Sequence, residues 1–490
     1  MSTRNHWLSL LGPVLLFCIL RLPALIHQHG GEDEQFFSVP GWTVWREGIP
    51  RIPYLPTRNR ETFLENADRC LMALPPAQFY VQAVFFAIFP PGYPTSRLPA
   101  FVGSLAIILL AYFLARRLGV SHGIAWLVAG LLTCTRQLMF VGISARPDAL
   151  CILCGLAAVA FLICSDAWHR AWLPLTVGGL CGLAGLFPPL ALVFGIQAGI
   201  AMLIAPGSLA LRLRRVGLLA FSAVGVVSLW IPLIWRFPNE FRSQFFSNVL
   251  NRAGPGLHMR LLWPFPSLSH HVEQLWEIAG PWQFSMLFTI LLVSTLVFLC
   301  SPTSLAFRKV LALCWSAVYL TATVSGIHPL LGYWLFSTTL ILVLLGVVMQ
   351  HFEMRSSRLL VIGIVGMVLT LFGSGLRSSW TYLRHFGSSQ YHAGCFIKGL
   401  LAELPREGLF LADTSYVFDV YLSGRTTLYC AERQLYWGDQ KIPFDYLLIA
   451  SEGMDARVAE QYGAEQVRLV GSRSQPQTCF VYIYAQQDPP

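Results

Sequence analysis

Charge is what this chain has least of. Only 12% of its 490 residues are Asp, Glu, Lys or Arg, against about 25% in soluble domains. With 55% hydrophobic residues and a mean hydropathy of +0.57, that scarcity excludes a soluble globular protein and implies a polytopic membrane protein. The chain also lacks an internal repeat, a low-complexity segment, and any Asn-x-Ser/Thr sequon, which leans away from a secreted-pathway glycoprotein. No HExxH or Cys/His ligand spacing occurs, so no metal site is predicted. No small-residue cleavage site follows the apolar stretch at 7–26, which is expected to remain as a signal anchor. The net charge of +9 could suggest nucleic acid, but Lys and Arg sit in short clusters between apolar runs, where they set membrane orientation. Nucleic acid is therefore not an expected partner.

Twelve cysteines are present, and eight (Cys18, Cys134, Cys151, Cys154, Cys164, Cys181, Cys300 and Cys314) lie in apolar runs, where a thiol is a small buried hydrophobe. Cys70, Cys395, Cys430 and Cys479 lie in polar regions; a disulfide among them is open, with no pairing readable.

A spanning helix needs about 20 apolar residues. Eleven runs qualify, near 7–26, 97–115, 121–142, 148–164, 171–187, 189–205, 216–235, 281–300, 309–327, 330–350 and 358–375. The segment at 75–91, between two proline pairs, is short for a span and suits an interfacial helix. Four basic clusters (Arg116 and Arg117; Arg212, Arg214 and Arg215; Arg308 and Lys309; Arg355 and Arg358) are each separated by an even number of these spans, so they share one side. Arg4 joins them only if 75–91 does not cross. Taking that side as cytoplasmic puts the N-terminus inside, and puts 27–96, 143–147, 236–280 and everything after about 376 outside. The expected localisation is the plasma (inner) membrane.

From about residue 381 the character changes. LFLAD, TTLYC, YLLIA, VRLVG and CFVYIYAQ read as short strands, with helices at DTSYVFDVYLSG and DARVAEQYGA. The expected architecture is an α-helical membrane module (residues 1–380, about eleven spans plus interfacial helices) with a small extracytoplasmic α/β domain at 381–490.

In so uncharged a chain, the triplet Glu32-Asp33-Glu34 directly behind the first apolar run stands out. It opens an expected helix with Asp33 as N-cap, Pro40 bending it and Gly48 closing it. The plain reading is a capped interfacial helix; the chemical one is that Asp33 or Glu34 is a general base taking a proton from an acceptor hydroxyl or amine. The same outer face gathers Arg97, Arg146, Asp148, His328 and Tyr333. Ionisable groups collected at one membrane face are a functional site by default. Arginine suits phosphate through its planar fork, with snorkelling to headgroups as the alternative for each. A carboxylate with phosphate-binding cations suits sugar transfer from a lipid-linked phosphosugar, with inversion, because the phosphate leaves readily and one base suffices. Tyr80 and His258 complete the candidate substrate-binding set.

The ordered set DE (33–34), GIP (48–50), PPAQFY (75–80), SRLPAFVG (96–103), LARRLG (114–119) and SARPDAL (144–150) resembles the GT-C superfamily of membrane glycosyltransferases, in particular the protein O-mannosyltransferase and lipid A aminoarabinose transferase family. The resemblance spans 7 to about 350. It implies a multi-span fold with interfacial helices in the first outer loop, and a polyprenyl-phosphate sugar donor used outside the cytoplasm. It places the family's acidic motif on Asp33 and Glu34, with Asp33 as the catalytic carboxylate, its arginine on Arg97 and its later acid on Asp148. The sequence departs at Phe37, where Tyr is frequent, at Leu74, where Lys or His is common, at His328 followed by Pro329, and in an insertion at 56–72. The implied partners are the donor, the bilayer, and a lipid, glycan or protein acceptor. No cofactor is required, although a divalent cation on Asp33 or Glu34 and the donor phosphate stays open, because such sites leave no spacing signature. The alternatives are a flippase of lipid-linked sugars, which would put charged pairs near the bilayer midplane, and an inactive scaffold that keeps the fold.

Overall fold

The computed structural model describes residues 4–31, 33–165, 168–251, 254–327, 330–352, 357–373, 376–438, 440, 442–450, 455–475 and 477–486. Helices cover all eleven apolar runs, but they are shorter and more broken than the runs suggest. Among the described residues five helices are long and apolar enough to cross a membrane: Tyr93–Arg117, Leu209–Arg236, Pro281–Cys300, Leu305–Ser325 and Leu331–His351. The pair Val361–Leu371 and Leu376–Arg384, bent by 67°, makes a sixth if counted as one span. The first run is covered by the 24-residue helix Arg4–His27, whereas His122–Thr133, Asp148–Cys164, Trp172–Gly185 and Ala191–Ile204 coincide with expected spans and stop at 12 to 17 residues. Local chemistry explains one such break: Thr135 accepts from the Leu138 amide and caps a new helix, splitting 121–142 in two. The segment expected at the interface holds one helix, Ala77–Phe86, of 10 residues.

Leu331–His351 is 89% buried and forms the centre of the bundle, whereas Leu209–Arg236 and Pro281–Cys300 expose most of their apolar surface. Apolar faces of this extent on these two helices are what a lipid-facing perimeter requires.

All five expected strands form one sheet: β1 (Leu409–Ala412), β2 (Thr426–Tyr429), β3 (Tyr446–Ile449), β4 (Ala464–Gly471) and β5 (Phe480–Gln486), in the order β2-β1-β3-β5-β4. β1 pairs in parallel with β2 and β3; β5 pairs antiparallel with β3 and β4. Two expected helices appear as Val417–Leu422 and Asp455–Tyr462.

The sheet domain is seated on the loop that follows the first helix. Phe36, Tyr54, Leu64 and Phe79 share one apolar cluster with Phe410, Val417, Tyr429 and Leu447. Backbone bonds cross between them: Gly30 N–H to the Ser415 carbonyl at 3.0 Å and Tyr429 N–H to the Tyr54 carbonyl at 2.9 Å. Gly30 permits the approach, since a Cβ there would lie 2.5 Å from the Thr414 carbonyl oxygen. All twelve cysteines are free thiols, including the four outside the apolar runs.

Candidate active site

The acidic segment folds differently from the capped helix expected. Asp33 sits in the left-handed region (φ 66°) and its side chain does not cap. Short helices run Glu34–Phe37 and Val39–Glu47, and Pro40 starts the second one instead of bending a single helix; Gly48 closes it at φ 78°. Glu32 lies outside the described residues. A left-handed non-glycine residue costs on the order of 1–2 kcal/mol. Here that geometry sends two adjacent carboxylates in different directions.

Glu34 turns inward. Its side chain is 4% exposed and meets Arg97 as a two-pronged pair, Nε to Oε1 at 2.8 Å and Nη2 to Oε2 at 2.5 Å. The same carboxylate accepts from the backbone amides of Ala145 and Gly31 at 3.0 and 3.1 Å. Arg97 gives its remaining three N–H groups to the carbonyls of Leu25, Gln28 and His29. Every donor of Arg97 is thus used inside the protein, and the pair ties the first helix, the acidic loop and 143–147 together.

Asp33 turns outward, with a side chain 51% exposed and Oδ2 2.6 Å from Arg146 Nη1. Arg146 also donates from Nε to buried Asp148 at 3.0 Å and lies 5.2 Å above the Phe37 ring. Burial alone would lower the Arg146 pKa, but the carboxylates of Asp148 and Asp33 override it and hold the guanidinium firmly charged. Its Nη2 donates to no described residue. Asp148 opens the helix Asp148–Cys164 with Pro147 in the cap position, and its Oδ1 has no hydrogen-bond partner. Gly332 makes room for it, since a Cβ there would meet Asp148 Oδ2 at 2.8 Å.

Asp33 and Arg146 open on a cavity of about 350 Å³, at the small end of the range for ligand sites. Phe37, Leu74, Asn248 and Tyr333 form one side; Thr414, Tyr429, Glu432 and Tyr436 of the sheet domain form the other. Arg146 is the one cation among the described lining residues. The structure therefore brings together Asp33, Arg146, Asp148 and Tyr333, with Glu34 and Arg97 behind them. Tyr80 is exposed on the Ala77–Phe86 helix and His258 on the short helix Leu257–Leu262, neither lining the cavity; His328 lies outside the described residues. Among the described residues no three His, Cys, Asp or Glu side chains converge on a metal-sized site. A hard cation here would have to share Asp33 with substrate phosphate and water.

Sequence reasoning missed the sheet domain's wall and Asn248. Asn248 lies in an unusual π-helical stretch, Phe241–Asn251, that is tied to the loop after the first helix by Asn248 to the Ala73 carbonyl (2.9 Å) and by the Met72 amide to Gln244 Oε1 (2.7 Å). Glu432 sits at φ 52° and, like Asp33, is one of three described non-glycine residues in the left-handed region.

The segment 236–280 is fixed nearby by His271, whose Nδ1 accepts from Trp334 Nε1 at 2.9 Å and whose Nε2 faces the Gly326 carbonyl at 3.0 Å. Burial pushes its pKa down to about 4. A depressed histidine contributes stability above its unfolded pKa of about 6.5 that is lost as pH falls toward 4. The protection of the 265–274 amides, referenced to the intrinsic exchange rate at each pH, should therefore fall between pH 6.5 and 4 in the wild type. His271→Gln should remove that pH dependence.

Residues 73–235 match the family described as dolichyl-phosphate-mannose-protein mannosyltransferase. No curated protein sequence matches the chain. Among solved structures, ArnT from Cupriavidus metallidurans bound to undecaprenyl phosphate aligns with a TM-score of 0.63 over 99% of this chain and 98% of its own, at 13% identity. The chain thus shares the fold of ArnT along nearly its whole length. The apo form of the same ArnT aligns at 0.58, over 98% of both chains and at 13% identity. The Archaeoglobus fulgidus oligosaccharyltransferase with zinc and sulfate aligns at 0.50 over 97% of this chain and 72% of that one, at 14% identity. The alignment with ArnT takes in both the helical bundle and the C-terminal sheet of the present chain.

Proposed function

We propose that this GT-C protein transfers a sugar from a polyprenyl-phosphate donor to an extracytoplasmic acceptor, with Asp33 as general base. The observation that carries this is the contrast between two neighbouring acids: Glu34 is buried and saturated, whereas Asp33 is half exposed in a cavity and anchored to a guanidinium with an unused edge. In the proposed step Asp33 takes the proton of an acceptor hydroxyl or amine as that atom attacks the anomeric carbon. The bond from anomeric carbon to phosphate oxygen breaks, its electron pair leaves with the polyprenyl phosphate, and the sugar is inverted. Arg146, with Tyr333 beside it, steadies the departing charge. Arg97 serves as a clamp on Glu34, not as a phosphate ligand. Tyr80, His258 and His328 remain candidates for contacts made once the donor is bound.

The topology that accompanies this reading keeps eleven crossings in the plasma (inner) membrane, a cytoplasmic N-terminus, and residues 381–490 outside, closing the site over a membrane module of 1–380. The short helices would reach across by pairing with their breaks. The ArnT structure holding undecaprenyl phosphate supports a polyprenyl-phosphate partner for this chain.

Arg146→Lys tests the phosphate role, because lysine keeps a charge beside Asp148 and loses the fork. Binding of undecaprenyl phosphate to the purified variant should weaken by about ten- to a hundredfold, the worth of one charged hydrogen bond. Unchanged binding would remove Arg146 from the phosphate site.

A further inference from the structure

A second cavity, of about 1340 Å³, shares no lining residue with the Asp33 site. It lies between the outer ends of helices Arg4–His27 and Tyr93–Arg117 and the sheet domain's helices Ala393–Glu403 and Val417–Leu422. Its membrane side is apolar (Leu22, Leu25, Ile26, Phe89, Leu98) and its outer rim carries Lys398, Arg406 and Arg425. Arg425 is engaged with the Leu401, Leu404 and Pro405 carbonyls and contributes charge more than free donors. Lys398 and Arg406 are exposed and make no ion pair among the described residues.

We infer that this trough is a second binding site, taking a phosphate-bearing lipid with its chains along Leu22, Ile26 and Leu98 and its phosphate at Lys398 and Arg406. The inference rests on the reading that these helices lie in a bilayer, and on no transfer chemistry. An occupant must be apolar where it meets helix ends and anionic where it meets the rim, and a phospholipid-type anion has that order along its length. A peptide or a soluble sugar phosphate would leave the apolar floor uncovered. The one acid in the trough, Asp419, bears on this electrostatically. Burial pushes its carboxyl up to about 7 against the opposing influence of Arg97, so its repulsion of an anionic ligand is reduced near neutral pH. The Leu25 carbonyl that holds Arg97 belongs to a lining residue, so an occupied trough rests directly against the clamp of the Asp33 site.

The test uses the full-length protein reconstituted in phosphatidylcholine nanodiscs containing a minor fraction of phosphatidylglycerol, then extracted and its retained lipid quantified. Wild type should retain phosphatidylglycerol over phosphatidylcholine. The double variant Lys398→Gln/Arg406→Gln should cut that preference by roughly thirtyfold, as two basic residues at a membrane surface imply. Ala402→Trp, a change at an exposed lining position, should reduce retention of either lipid by filling the trough. Arg457→Gln, elsewhere on the sheet domain, should change nothing. Full preference in the double variant, or an equal loss in Arg457→Gln, would overturn the site. Displacement of the bound anion by inorganic phosphate, with Ala402→Trp silent, would show a free-phosphate site and overturn the lipid assignment. Because no turnover is read, these outcomes are separate from failure of the proposed transferase reaction.

Discussion

Asp33→Asn should lower sugar release from a polyprenyl-phosphate donor by about 10²–10⁴-fold, the usual worth of a positioned general base, while donor binding stays equal or tightens. The two halves of that result have one cause. Asparagine fills the same space and its carbonyl can still accept from Arg146, but it cannot take a proton. Removing the negative charge 2.6 Å from Nη1 also leaves the guanidinium better able to attract phosphate. Radiolabelled release and equilibrium binding, measured side by side, check it. Equal turnover in the variant would dismiss Asp33 from the chemistry.

Arg97→Met should instead strike stability, by about 3–5 kcal/mol, because it strands the Glu34 carboxylate in a site where it is 4% exposed. Three backbone carbonyls lose their donor at the same time. Glu34→Gln should cost in the same direction, and the double variant less than the sum, since the two side chains are one unit. Thermal unfolding in a fixed detergent reads all three. Should Arg97→Met fold as stably as wild type and yet lose donor binding, Arg97 would be a phosphate ligand, the role that the sequence resemblance suggests.

This division between the acids shows where the sequence stops being legible. That the DE pair behind the first apolar run is a candidate site follows from an acidic cluster in a chain with few charges. Which acid faces the cavity does not follow, because it depends on a left-handed φ at Asp33 that an N-cap assignment would not produce. The five strands were legible because each is a compact apolar run bounded by turn residues, as the buried β1 and β3 show. Their place as a wall of the site was not: Gln35 to Tyr429, at 3.2 Å, joins residues 394 apart in the chain. Helix lengths were overestimated where hydropathy continues through a structural break, as at Cys134 and Thr135.

The departures at Phe37 and Leu74 also gain a physical setting. Both line the cavity, Phe37 as the ring beneath Arg146 and Leu74 as an apolar wall where a basic residue is common. The described site therefore concentrates its positive charge on Arg146, and Arg146→Lys is expected to matter correspondingly more.

The account stands or falls on whether the Asp33 cavity turns over a lipid-linked sugar. Purified wild-type protein, given a panel of labelled polyprenyl-phosphate sugars with membrane lipid, glycan and peptide acceptors, should release one sugar from its lipid with inverted anomeric configuration. Binding of polyprenyl phosphate with no release from any donor across those acceptors, or release with retained configuration, would contradict it.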